Sequence, residues 1–157
     1  GDEFVHVPPA DVVRDYHALI DAGADLVLGH HPHVVQGIEK YGRGIIFYSL
    51  GNYAMGTVSK RHMRRNGKLY SFITRVRFRK TGQSLRPESV EVFPLYSDNA
   101  NELVVNGKVL KRRRFVPEVL TGDFADHVLD RIESWSAQVP GNKTVFAREG
   151  DVLTVKF

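Results

Sequence analysis

Ala24-Asp25-Leu26-Val27-Leu28-Gly29-His30-His31-Pro32-His33 is the stretch on which the fold turns. Its first five residues are short and mostly apolar, as expected of a strand buried on both faces of a parallel sheet. A glycine and three histidines follow at once, so the strand delivers its end into a polar corner. Ligands of open α/β sheets collect outside the carboxyl ends of such strands, which makes residues 29–33 the candidate binding edge. Pro32 disfavours helix at His31 and predicts an extended segment, with His31 and His33 projecting to the same side. Their backbones would then stand roughly 6–7 Å apart. Two imidazoles so placed reach one ion, or one each of a pair held about 3.5–4 Å apart. Taken singly, each histidine reads as a polar loop residue. Their clustering makes His31 and His33 candidate metal or phosphate ligands, while His30 reads as packing or orienting a ligand.

Outward from this stretch, Pro8 to Gly23 reads as a helix. Two prolines stand at its entrance, Val12, Tyr16, Leu19 and Ile20 recur at helical spacing, and Gly23 supplies a stop. A second strand is expected over Ile45 to Leu50, ending at Gly51-Asn52. Leu69 to Lys80 alternates as a half-exposed strand, turning at Thr81-Gly82-Gln83 toward a partner around Val90 to Leu95. Asn106-Gly107 between apolar pairs is a hairpin signal, and Glu149-Gly150-Asp151 a weaker one. Thr121 is the expected cap of a helix with the stripe Phe124, Val128, Leu129, Ile132 and Trp135, closed by Pro140-Gly141. The fold class is α/β with an antiparallel second half. Ser97 to Asn101 is polar enough to be a seam, dividing residues 1–97 from residues 98–157, which complete or extend the same domain.

The composition narrows the chemistry. The 157 residues are 42% hydrophobic and 25% charged, which is globular. No apolar run approaches the roughly 20 residues that span a bilayer, and no signal segment opens the chain. Cysteine is absent, which excludes thiolate ligands, a cysteine nucleophile and disulfides. Ser49 lacks a nucleophile elbow and reads as a buried strand hydroxyl. Lys plus Arg outnumber Asp plus Glu by 22 to 18, a mildly cationic balance.

Asp21 to Gly37, with its Gly-His-His-Pro-His core, and Ile46 to Tyr53, with Tyr-Ser-Leu-Gly-Asn, together resemble the signature of the CapA family of capsule (poly-γ-glutamate) synthesis proteins. That family belongs to the calcineurin-like metallophosphoesterase superfamily. The resemblance implies a four-layer αββα sandwich, of which this chain looks like the C-terminal part. It also implies a divalent metal pair (Mn, Fe or Zn) in the intact protein. His31 and His33 match the two histidines of the superfamily's Gly-His-x-His motif, with His30 the alternative ligand. Gly1-Asp2-Glu3-Phe4 resembles the tail of the family's His-Trp-Gly-x-Glu-aromatic motif and carries Glu3 over as a candidate carboxylate. The superfamily's early aspartate and Asn-His pair lie upstream of that motif. The expectation is therefore that this portion is inactive by itself and holds an incomplete ligand set, with no metal bound. Resemblance also implies a bacterial cell-surface, membrane-associated or secreted protein within a capsule-synthesis complex.

Weaker signals surround this core. Asn52 either turns its amide toward the same cleft or is a plain turn asparagine. The basic runs around Lys60, Arg61, Arg64 and Arg65 and around Arg112 and Arg113 are either solvated faces or contacts for an anionic polymer. They lack interleaved aromatics, which argues against nucleic acid. Arg75, Arg77 and Arg79 read as a face that keeps a strand soluble. Two functions stand side by side: a metal-dependent phosphoesterase-like hydrolase acting on a phosphorylated substrate, and a non-catalytic module that holds the capsule polymer. A sheet lacking its upstream part is expected to show an apolar edge and to cover it by self-association.

Overall fold

A computed structural model describes residues 2–54, 67, 69–97, 101–111 and 116–157. Helix α1 (Ala10–Asp21) starts where Pro9 holds an extended backbone and Asp11 sits in the positive first turn. It stops at Gly23, whose φ of +113° suits glycine. Val13 and Ile20 are its buried residues, with Val12 and Tyr16 partly buried. Leu19 is 49% exposed, so the apolar stripe runs through Val13 rather than Leu19.

The chain then enters a small sheet of β1 (Leu26–Leu28), β2 (Ile38–Tyr41) and β3 (Gly44–Phe47), in spatial order β1-β3-β2. β1 runs parallel to β3, and β2 is a hairpin partner of β3 through the Gly42 turn. The sequence pattern predicts β1 and β3 but not β2. It also carries the second strand too far, since β3 ends at Phe47 and only a single bridge, Val35 to Leu50, continues the pairing.

Alternation along β3 separates two cores. Ile46 and Tyr48 face α1 with Val13, Ile20 and Val27. Ile45 and Phe47 face the other way, toward a second sheet. That sheet is built from the long hairpin β4 (Tyr70–Thr81) and β5 (Ser84–Tyr96), joined by β8 (Glu118–Val119), β9 (Phe146–Glu149) and β10 (Val152–Val155). Phe47 meets Phe72 across the gap with ring centroids 5.9 Å apart. Burial of each such side chain contributes about 1.5–3 kcal/mol.

Helix α2 (Asp123–Ala137) closes this core with Ala125, Val128, Leu129 and Ile132. Its N-cap is Gly122, not Thr121, and no side chain caps it. The N–H of Gly122 itself donates to Asp151 at 2.7 Å, tying the start of the helix to the distant final hairpin. The hairpin β6 (Leu103–Val105) and β7 (Lys108–Leu110) turns at Asn106-Gly107, both with positive φ as a two-residue turn requires. The described architecture is mixed α/β. One apolar cluster runs from Val35 to Val155 and joins both sheets with α2.

Candidate functional site

Gly29 ends β1, donating its N–H to Phe47 O at 2.8 Å and accepting from Leu50 N at 3.3 Å. A Cβ at this position would stand 2.1 Å from Tyr48 O. Glycine is therefore required at the point where the chain leaves the sheet, and the histidines begin one residue beyond it.

The backbone of the histidine segment departs from the extended form expected of it. His31 has φ +96° and His33 φ +61°, both in the left-handed region. Pro32 normally steers its predecessor to an extended conformation, so His31 goes against its local preference. Each such residue costs of order 1–3 kcal/mol and persists when its surroundings over-determine it. Those surroundings are visible. Pro32 is buried, and its carbonyl accepts the Phe4 N–H at 2.8 Å.

His33 is clasped by Asn52. The Asn52 Nδ2 donates to the His33 carbonyl at 3.0 Å, and this orients the amide so that its Oδ1 faces His33 Nδ1 at 2.9 Å. An amide oxygen can only accept, so Nδ1 carries the hydrogen and the lone pair of the neutral ring lies on Nε2. Phe4 stacks on the same ring at 6.1 Å. His30 is exposed and lines a cavity of about 440 Å³ with Leu28, Asn52, Tyr53 and Phe72. His30 and Asn52 share the lining of this cavity and His33 joins them through Asn52, while His31 is exposed; neither His31 nor His33 is among the lining residues. Glu3 is exposed beside Phe4. Among the described residues no three His, Asp or Glu side chains converge closely enough to hold an ion.

The other residues singled out by the sequence fall elsewhere. Lys60, Arg61, Arg64, Arg65, Arg112 and Arg113 lie outside the described residues. Lys111, next to the second basic run, pairs with Glu102 at 3.0 Å. On β4, Arg75 and Arg77 both reach Glu91 across the strand, at 3.3 and 2.6 Å, and Arg79 pairs with Glu88. That arginine row is matched by carboxylates. Ser49 is buried, and its Oγ accepts from Gly51 N at 3.3 Å.

Residues 1–57, which contain this whole turn and its Asn52 clasp, match the family model described as bacterial capsule synthesis protein PGA_cap. This part of the chain is similar to the capsule-synthesis family. The capsule biosynthesis protein CapA of Bacillus anthracis is 49% identical over 53 residues, 34% of this chain and 13% of that protein. The PGA biosynthesis protein CapA of Bacillus subtilis is 42% identical over 76 residues, 43% of this chain and 20% of that protein. A third relative, the uncharacterized protein y4sH of Sinorhizobium fredii, is 66% identical over 35 residues, or 22% of this chain and 8% of that protein. The chain therefore matches a fifth or less of the length of each of these relatives.

Sequence reasoning passes over His6, His17 and His127, of which the first two join distant parts of the chain. His6 stacks on Trp135 at 4.0 Å and bonds the Val35 carbonyl at 2.9 Å, fastening the N-terminal segment to α2. His17 joins a buried Glu39 on the far face of the small sheet. The sequence around Glu39, Ile38-Glu39-Lys40-Tyr41, gives no local signal of this pairing, because the partner lies 22 residues earlier.

Proposed function

We propose that this chain is the distal part of a capsule-polymer biosynthesis protein of the poly-γ-glutamate type, and that its histidine turn forms one end of a metallophosphoesterase-like metal site. The observation that carries the reading is the Asn52–His33 clasp. It lies within the family-matched segment, at the carboxyl end of a parallel strand, and it presents Nε2 of His33 in the tautomer a metal requires.

The donor set fits part of such a centre. His33, with His31 or His30, would supply imidazoles and Glu3 a carboxylate, with Asn52 behind His33 as the partner that orients its ring, and the remaining carboxylates would come from sequence beyond this chain. When bound, a divalent pair supplies Lewis acidity toward a phosphoryl oxygen. What these residues do themselves is positional: Asn52 fixes the His33 ring, and the strained turn fixes where the ring emerges. The four-layer sandwich belongs to the same proposal, with α1 and the small sheet as two of its layers. The membrane-associated setting, and a capsule polymer or phosphorylated compound as substrate, belong to it as well. No described helix is long and apolar enough to cross a membrane.

Metal analysis of the full-length protein, alone and as the His31→Ala/His33→Ala variant, tests the proposal. Near-stoichiometric Mn, Fe or Zn that is lost in the variant supports it. Metal content unchanged by the double substitution, or tight polyglutamate binding by metal-free protein, would replace it with the non-catalytic polymer-holding module.

A further inference from the structure

Residues 2–9 form neither helix nor strand, so no backbone ladder fixes them where they lie. What fixes them is a set of contacts with residues 32–36. The Phe4 N–H donates to the Pro32 carbonyl at 2.8 Å, the Gln36 side-chain amide donates to the Val5 carbonyl at 2.8 Å, and His6 Nδ1 donates to the Val35 carbonyl at 2.9 Å. Two rings extend the hold. Phe4 stacks on His33 with centroids 6.1 Å apart, and His6 lies flat on Trp135 of α2, 4.0 Å away with planes 6° apart. The segment is a strap, tied at one end to a candidate ligand and at the other to α2.

Two features show that the strap bears on the turn. The first is where left-handed backbone falls. Among the described residues other than glycine four have positive φ, and three of these, Phe4 at +64°, His31 at +96° and His33 at +61°, lie at this contact. The fourth, Asn106, sits in a hairpin turn that calls for it. Such backbone persists where surrounding contacts over-determine it. The local sequence does not supply them, because Pro32 steers His31 the other way. The second feature is Gln36. Its side chain belongs to a residue only 2% exposed, next to the wholly buried Val35. A buried amide is tolerated when it is bonded, and the bond this one makes is to the strap. An apolar residue of the same size would fill the space and leave the strap loose.

We propose that Gln36 and His6 are positioning residues of the histidine turn: they hold residues 3–6 across it, and the strap, through Phe4, keeps His31 and His33 in the left-handed form from which their rings would meet an ion. The role in metal binding rests on the metal-site reading of the turn, whereas the hold on the turn stands apart from it. Glu3, the candidate carboxylate, precedes Phe4 on the same strap, so the tethers that place Phe4 place Glu3 as well.

The test uses the full-length protein, isotopically labelled at histidine and phenylalanine, with two substitutions away from the candidate ligands. Gln36→Met keeps an unbranched side chain of similar length and removes the donor to Val5. His6→Phe keeps a ring on Trp135 and removes the donor to Val35. Val155→Ala, a buried change in β10 of the second sheet, is the control for general loss of stability. In both strap variants the Phe4 amide should exchange about tenfold faster or more. The backbone carbon shifts of His31 and His33 should move from left-handed toward extended values. Affinity for Zn²⁺, measured by calorimetry, should fall by about 10- to 100-fold, as it does when a group supporting a ligand is lost. Val155→Ala should leave all three readings unchanged. Turn shifts that stay fixed in both variants, or that move equally in Val155→Ala, overturn the strap. A turn that relaxes while Zn²⁺ affinity is intact overturns its positioning role. If the unsubstituted protein binds no Zn²⁺, the metal-site reading falls, and the shifts of His31 and His33 alone decide whether the strap holds the turn. If Gln36→Met does not fold, His6→Phe carries the test.

Discussion

The two edges of the small sheet are finished in opposite ways. Along β2, the outward backbone groups are met one by one by side chains from the end of α2 and the loop after it. Ile38 N–H donates to Ser136 Oγ at 2.9 Å, Ile38 O accepts from Asn142 at 2.9 Å, and Lys40 N–H donates to Thr144 Oγ1 at 2.7 Å. Along β1, no described strand pairs with the outer side, and Leu28 is 49% exposed beside the cavity at the histidine turn. The difference teaches where the molecule is self-sufficient. The β2 edge is closed against further strands in the way edges are commonly protected, whereas the β1 edge keeps its apolar residue and its candidate ligands at the surface.

This contrast has measurable consequences. The largest is expected between two apolar residues of neighbouring strands. Phe47→Ala, in β3 and fully buried against Phe72, should cost about 3–5 kcal/mol in denaturant unfolding, while Leu28→Ala should cost about 0.5 kcal/mol or less. Comparable losses at the two positions would mean that β1 is covered and the contrast is false. Next comes the closed edge itself. Ser136→Ala strands the buried Ile38 N–H and should cost about 1–3 kcal/mol, with faster amide exchange at Ile38 as its specific mark.

A smaller effect is expected at the other edge. Asn52→Ala releases the His33 ring at a stability cost of about 1 kcal/mol, and NMR should show His33 changing from pure Nδ1–H to a mixture of tautomers. An unchanged tautomer would show that Asn52 does not hold the ring. Smallest of all, Arg77→Ala on the exposed face of β4 should alter stability by less than about 1 kcal/mol, and by still less in high salt.

Much of the fold is legible where the determinants are local. Asn106-Gly107 announces its hairpin because two consecutive positive φ values demand such residues. Tyr70, Phe72, Thr74 and Val76 announce the inner face of β4 by strict alternation, and the stripe from Val128 to Ile132 announces the buried side of α2. The parts that escape depend on distant partners. β2 pairs with β3 on one side and is met on its outer edge by residues 136 to 144, a support that nothing near Ile38 reveals. The expected cap of α2 fails because the N-cap falls one residue later, at Gly122, where a contact to the distant Asp151 holds the backbone.

The candidate site is legible as a cluster but not as a shape. Gly29 to His33 and Asn52 stand out by composition, and the clasp brings His33 and Asn52 together. The backbone rule for a residue before proline predicts the reverse of the observed turn. Docking of Phe4 onto Pro32, from 28 residues away, is among the contacts that favour the turn over that preference.

The left-handed backbone at His31 and His33 also has an implication for protein engineering. Glycine or asparagine would sit there with less strain, so a search for heat-resistant variants should drift toward exchanging these histidines. Each step of that drift would make the chain hardier and remove an imidazole. Stability and recognition thus pull in opposite directions at these two positions, and a library enriched for thermal survival would reveal the conflict by which residues it discards.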